Sequence, residues 1–239
     1  MSMMIYKDRR KFLKTACMMA GTLLFSKFND SNAARYVPRD EEEKKVPVSE
    51  DLMREHGVLR RVLLSYNEIS GRILKGKNFP PEALKNSAEI IRSFIEGYHE
   101  KLEEDYLFPR FEREGKMEDL VKVLKQQHEA GRKLTALIMK SVDSKDKRVL
   151  KGYIDEFHRM YTPHAAREDT VLFPEFRKIV SDKEYDSLGE EFERKEKQMF
   201  GESGFEKMVQ RVEQIEKELG IYELSGFTPR LSGKSANNG

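Results

Sequence analysis

Residues 98–109 read Tyr98-His99-Glu100-Lys101-Leu102-Glu103-Glu104-Asp105-Tyr106-Leu107-Phe108-Pro109, and the chain repeats this pattern 65 positions later. His99 is followed four residues on by Glu103, then Glu104, and then Leu107-Phe108-Pro109. His164 is followed at the same offsets by Glu168, Asp169 and Leu172-Phe173-Pro174. On a helix, a residue and its i+4 neighbour lie one above the other, so each copy sets an imidazole and a carboxylate on one stripe. Two such helices facing each other bring two His–Glu pairs to one place. A histidine and a glutamate buried together without a partner would be costly, which favours a metal site over a merely packed core.

The flanking helices extend the repeat. A helix over about 50–75 is expected, opened by Ser49 as N-cap, with Leu52, Leu59, Val62, Leu63 and Ile69 on its apolar face and His56 among them. Gly76 to Pro80 reads as a turn, Pro81 suits a helix start, and the first motif falls in a helix over 81–112 that Gly115 ends. The next helix, about 117–141, turns Leu120, Val121, Leu124, His128, Leu134, Leu137 and Ile138 inward. Asp143 or Ser144 then starts a helix to about 180 that holds the second motif. Short connections make neighbours antiparallel, so the reading is all-α, an up-down-up-down four-helix bundle. Each half supplies one inward histidine (His56, His128) and one His-x-x-x-Glu helix. Four imidazoles and two carboxylates suit a pair of octahedral-leaning first-row ions.

Pro109 and Pro174 are expected to bend the ends of the motif helices, and Pro163 to kink the helix where His164 is aimed. Ser181 with Glu184 has a capping-box pattern opening a helix to about 199. Phe205, Met208, Val209, Val212 and Leu219 recur at helical spacing up to Gly220. These two amphipathic helices, 181–222, are expected to cover the bundle or a second copy of the chain in a homo-oligomer. Residues 223–239 read as a flexible Gly/Ser/Asn-rich tail, and 34–48, bracketed by Pro38 and Pro47, as a linker.

Net charge is +2, but residues 1–33 carry six basic and two acidic side chains, leaving a mildly acidic remainder. No basic face is dense enough for nucleic acid. Asp8-Arg9-Arg10-Lys11-Phe12-Leu13-Lys14, followed by a short apolar run, resembles a twin-arginine export signal. That resemblance implies the export machinery as a partner and a periplasmic destination, with N-terminal anchoring an alternative. Cys17, the single cysteine, lies in this segment, so disulfides and cysteine-held metal sites are excluded from the mature chain.

Over residues 49–180 the doubled motif, with its four histidines and Leu-Phe-Pro ends, resembles a hemerythrin-type cation-binding domain. The resemblance implies a non-haem di-iron centre with an oxo or hydroxo bridge that meets O2 or another small molecule such as NO or peroxide. It implies His56, His99, Glu103, His128, His164 and Glu168 as ligands, the glutamates bridging. Iron rests on the resemblance; the donor set alone leaves manganese and zinc open. The chain departs from oxygen-carrying members at Arg132, where a histidine would stand, and at Glu168, four rather than five after His164. Fewer histidines favour sensing, scavenging or redox chemistry over simple carriage, with a di-iron oxidase, peroxidase or NO reductase as the alternative. Glu100 reads as a solvated charge, the alternative being an extra ligand, and His158 as a surface residue. Tyr98 and Tyr161 are candidates for a surrounding layer, and Gly131 for ligand space or close packing. A ferritin-like Glu-x-x-His pair fits at Glu96 and His99 but fails at Lys125 and Tyr161.

Overall fold

The structure, a computed structural model, describes residues 46–229. The expected N-terminal export segment, most of the linker and the last ten residues lie outside that range. The fold is an antiparallel four-helix bundle with two further helices packed along one side. Helix α1 is Val48–Leu74, α2 covers residues 81–113, α3 is Glu118–Ser141 and α4 covers residues 147–179. Helices α5 (Asp182–Phe200) and α6 (Gly204–Leu219) follow, then a 3-10 turn at Leu224–Phe227 inside what the sequence reads as a flexible tail. Around the bundle α1 packs on α2 and α4, and α3 on the same two helices.

Several helix ends differ from expectation for tertiary reasons. Ser49 does not cap α1; Pro47 holds that position, and the Ser49 backbone N–H donates to the Tyr185 hydroxyl of α5 at 2.8 Å. A partner from another helix thus satisfies the orphan donor. Helix α4 is capped by Asp146, whose side chain accepts from Arg148 N, rather than by Asp143 or Ser144. Leu137 is exposed rather than inward. Ser181 caps α5 as expected, accepting from Glu184 N, and left-handed Gly220 closes α6 while Ile221 N bonds back to Glu216 O.

Two prolines act through a change of helix type. The segments Glu103–Leu107 and Glu168–Leu172 are π-helical, with i→i+5 bonding, and each runs directly into Phe-Pro. Proline lacks an N–H and clashes with the carbonyl four residues back. The wider turn resets the bonding so that Pro109 and Pro174 fall in the first turn of a new α segment. In a π turn the i and i+5 side chains share a face, whereas on an α-helix they stand about 140° apart. Phe108 is therefore brought round to the face of Glu103, and Phe173 to that of Glu168. A third π stretch, Ile91–His99, ends on the first motif histidine. Helix α4 is continuous through Pro163, its irregular turn beginning only at Glu168.

Helices α5 and α6 are fastened by specific contacts. Arg61 reaches both oxygens of Glu216 at 2.9 and 2.5 Å, Arg110 meets Glu184 at 3.0 Å, and the Tyr98 hydroxyl donates to Phe192 O at 3.0 Å. Tyr98, itself buried, thus turns its hydroxyl toward α5.

Candidate metal centre

His56 from α1, His99 and Glu103 from α2, His128 from α3, and His164 and Glu168 from α4 converge in the middle of the bundle, all buried. Their pairing is crossed. Glu103 Oε2 lies 3.8 Å from His99 Nε2 and 3.4 Å from His128 Nε2. Glu168 Oε2 lies 3.3 Å from His56 Nε2 and 3.2 Å from His164 Nε2. Each carboxylate therefore stands between one imidazole of its own helix and one from a different helix. The groups His56–His99–Glu103 and His128–His164–Glu168 form two adjacent donor sets.

The outer nitrogens explain the orientation of the rings. His56 Nδ1 bonds Asp169 Oδ1 at 2.6 Å, and His99 Nδ1 bonds Glu55 Oε2 at 2.8 Å. His128 Nδ1 bonds Glu104 Oε1 at 3.1 Å, and His164 Nδ1 bonds Gln127 Oε1 at 2.8 Å. Carboxylate and amide oxygens accept here, so each Nδ1 carries a proton and each ring turns its Nε2 inward. This outer hydrogen bond is the usual support of a metal-bound imidazole. The two halves match: Glu55 and Gln127 each precede a histidine, and Glu104 and Asp169 each follow a central glutamate. Phe108 stacks on His128 at 5.5 Å and Phe173 on His56 at 5.6 Å, closing both sides with apolar rings.

The residues fit a pair of cations on their own chemistry. His56 Nε2 and His99 Nε2 face each other at 3.0 Å with both Nδ1 protons committed outward, so one shared proton or a cation is what can stand between them. Both oxygens of Glu103, both of Glu168 and His128 Nε2 are buried without a hydrogen-bond partner among the described residues. Buried polar atoms are normally paired, and a cation is the partner this donor set lacks.

Electrostatics separate the two carboxylates in the metal-free protein. Burial, then the charge of Glu168, pushes Glu103 well above the usual carboxylate range. Burial also opposes ionisation of Glu168, but His164 and His56 outweigh it and hold its pKa well below that range. Burial and the neighbouring His56 depress His99; burial also depresses His128. For His56 burial acts against the charge, yet the hydrogen bond with Asp169 and the nearby Glu168 carboxylate win and raise it.

One side of the centre breaks the internal symmetry. Glu100, expected to be a solvated charge, is 1% exposed; its Oε1 accepts from the Tyr161 hydroxyl at 2.6 Å and its Oε2 from Arg132 at 2.8 Å. Arg132 also pairs with Glu104, as Arg60 pairs with Asp169 in the other half. Ala165 occupies the place in the second motif that Glu100 holds in the first. Burial drives the Glu100 pKa up to about 8, and burial followed by Glu100 raises that of Tyr161. Gly131 makes room for the Tyr161 ring, since a Cβ there would overlap its hydroxyl; the space is filled by protein rather than kept for a ligand. Glu96 bonds Thr135 at 2.5 Å instead of turning to the histidines, and half-buried His158 belongs to none of the donor groups found among the described residues.

In the hydrogen-bonding layer, Glu104 and Asp169 belong to the repeated motif read from the sequence, though without this supporting role, while Glu55 and Gln127 were not singled out. The layer's available signal was position, since all four adjoin a candidate ligand in matching places of the repeat.

A family model described as the hemerythrin HHE cation binding domain matches residues 48–176. An uncharacterized protein of Mycobacterium bovis is 43% identical over 231 residues, covering 92% of this chain and 91% of that protein. An uncharacterized protein of Mycobacterium tuberculosis matches with the same identity and coverage. No solved structure matches the chain.

Proposed function

Because the chain belongs to the hemerythrin HHE cation-binding domain family, we propose that its bundle holds two iron ions and binds O2 or a related small molecule, NO or peroxide, for sensing, scavenging or delivery. The observation that carries this reading is the crossed placement of Glu103 and Glu168, each between imidazoles of two helices. His56 and His99 would hold one ion, His128 and His164 the other, and the two glutamates would bridge. Two imidazoles per ion would leave room for an exogenous ligand. Bound iron would supply its open positions and a reversible change of oxidation state. The chain's own part is to fix the rings through their Nδ1 bonds, to keep solvent out with Phe108 and Phe173, and to hold Glu100 beside the centre through Tyr161 and Arg132. Metal analysis with an ultraviolet–visible spectrum tests the reading: two irons per chain and charge-transfer bands of a bridged ferric pair are expected. A purified protein that takes up no iron would sink it.

A second reading, a di-iron redox enzyme, draws support from the buried Tyr161 and Glu100 with half-buried Arg132, whose polar atoms a simple carrier pocket does not require. Reduced protein exposed to O2 separates the two. An adduct reversed by removing the gas favours binding, and sustained turnover with an electron donor favours catalysis.

The proposed setting is the periplasm, reached through the twin-arginine-type segment at residues 1–33. No helix among the described residues is long and apolar enough to cross a membrane. Replacing Arg9 and Arg10 with lysine should leave the protein in the cytoplasmic fraction; unchanged fractionation would remove this part of the proposal.

A further inference from the structure

A groove of roughly 580 Å³ lies between α3 and α4, on the His128–His164 side of the bundle. Ala130 and Leu134 form its wall on α3, and Met160 and Pro163 its wall on α4. This size falls within the span of small-molecule sites, about 300–1,000 Å³. Two charged groups on its rim, Arg159 and Glu156, are already paired with each other. Lys133 also lines it and has no carboxylate partner among the described residues. The remaining lining residue is Gln127, whose Oε1 holds His164 Nδ1 at 2.8 Å. Among the four groups that support imidazoles, Gln127 is the neutral one, and its amide nitrogen is uncommitted among the described residues.

We propose that this groove binds a small aromatic monoanion and that Gln127 carries its occupancy to His164. The walls select the body of the ligand: a thioether sulfur contacts aromatic rings favourably, and Leu134 and the Pro163 ring offer flat apolar surface. The charges select its sign and number. Lys133 supplies one uncompensated positive charge, while the Arg159–Glu156 pair supplies none, so a single negative group is matched. Coupling follows from Gln127 belonging to both places. An occupant that takes a hydrogen bond from the amide nitrogen shifts the same planar group whose oxygen fixes the His164 ring.

The test uses the full chain and two fluorescent probes, the aromatic monoanion 1-anilinonaphthalene-8-sulfonate and its uncharged counterpart N-phenyl-1-naphthylamine. Saturable binding of one sulfonate probe per chain is expected. Lys133→Ala should weaken the sulfonate probe about threefold, as suits an exposed charge pair, and leave the neutral probe unchanged. Leu134→Asp should weaken both more than tenfold. Circular dichroism of these surface variants checks that they fold. Absence of saturable binding, or affinities that neither substitution moves, overturns the site. Coupling is read in metal-free protein from the His164 ring resonances by NMR, which should shift on saturation in wild type and not in Leu134→Asp. Unmoved resonances in a protein that binds the probe overturn the coupling. Neither readout depends on iron, so failure of the di-iron reading leaves this proposal standing or falling by itself.

Discussion

Tyr161 occupies the space that a side chain at Gly131 would need: a Cβ there would lie 2.8 Å from two of the tyrosine's ring carbons and overlap its hydroxyl. Tyr161 cannot retreat, being stacked on Phe157 at 4.4 Å and set edge-on to His164 at 5.2 Å. Gly131→Ala should therefore destabilise the protein by about 1–3 kcal/mol, the range for overpacking a core. In a Tyr161→Ala background the same substitution should cost little. Urea unfolding of the two single variants and the double variant measures the coupling.

Removing one imidazole should weaken metal binding at the centre. His99→Ala takes away a donor atom and the 2.8 Å hydrogen bond between His99 Nδ1 and Glu55. Metal content by plasma mass spectrometry should fall from the proposed two ions per chain to one or fewer. Equal content in variant and wild type would remove His99 from the ligand set.

Stability of the metal-free protein should depend on pH through Glu100. Its folded pKa is raised from the ordinary 4.5 to about 8 by burial, so the native chain keeps a proton that the unfolded chain releases. The contribution is complete below the ordinary value and is lost as pH rises toward and through 8. Between pH 6 and 8 the loss is about 2 kcal/mol, at about 1.4 kcal/mol per pKa unit. Glu100→Gln, which cannot ionise, should flatten that part of the profile in urea unfolding measured at successive pH values.

Anchoring of α6 should rest heavily on one guanidinium. Arg61→Ala leaves Glu216 nearly buried without the two hydrogen bonds it now accepts. A cost of about 1–3 kcal/mol is expected for the unsatisfied carboxylate. Limited proteolysis should then cut faster around Gly201 to Ser203, where α5 passes into α6.

The six converging side chains could be read from the sequence because helix periodicity turns a four-residue interval into a shared face, and the repeat doubled the signal. The four-helix arrangement followed from turn residues and short connections. Less legible was anything set by contact between helices. Glu100 resembles a dozen surface glutamates in a chain this charged, and only Tyr161 and Arg132, from other helices, give it a buried place. Ser49 has the chemistry of a cap, yet Tyr185 arriving from α5 satisfies that N–H. The π turns were announced by Pro109 and Pro174, but composition does not encode which bonding register a helix adopts around a proline.

The outer hydrogen bonds of the centre also bear on ancestry. Asp169, from the last helix of the bundle, orients His56 of the first, while Glu104 does the same for His128 of the third. Neither hairpin is self-sufficient; each borrows a carboxylate from the other to hold one of its own rings. A single helical hairpin carrying one motif, pairing with a copy of itself about a twofold axis, would already own the full set of donors. Gene fusion of such a swapped dimer needs only the connection now made by residues 114–117 to yield this bundle.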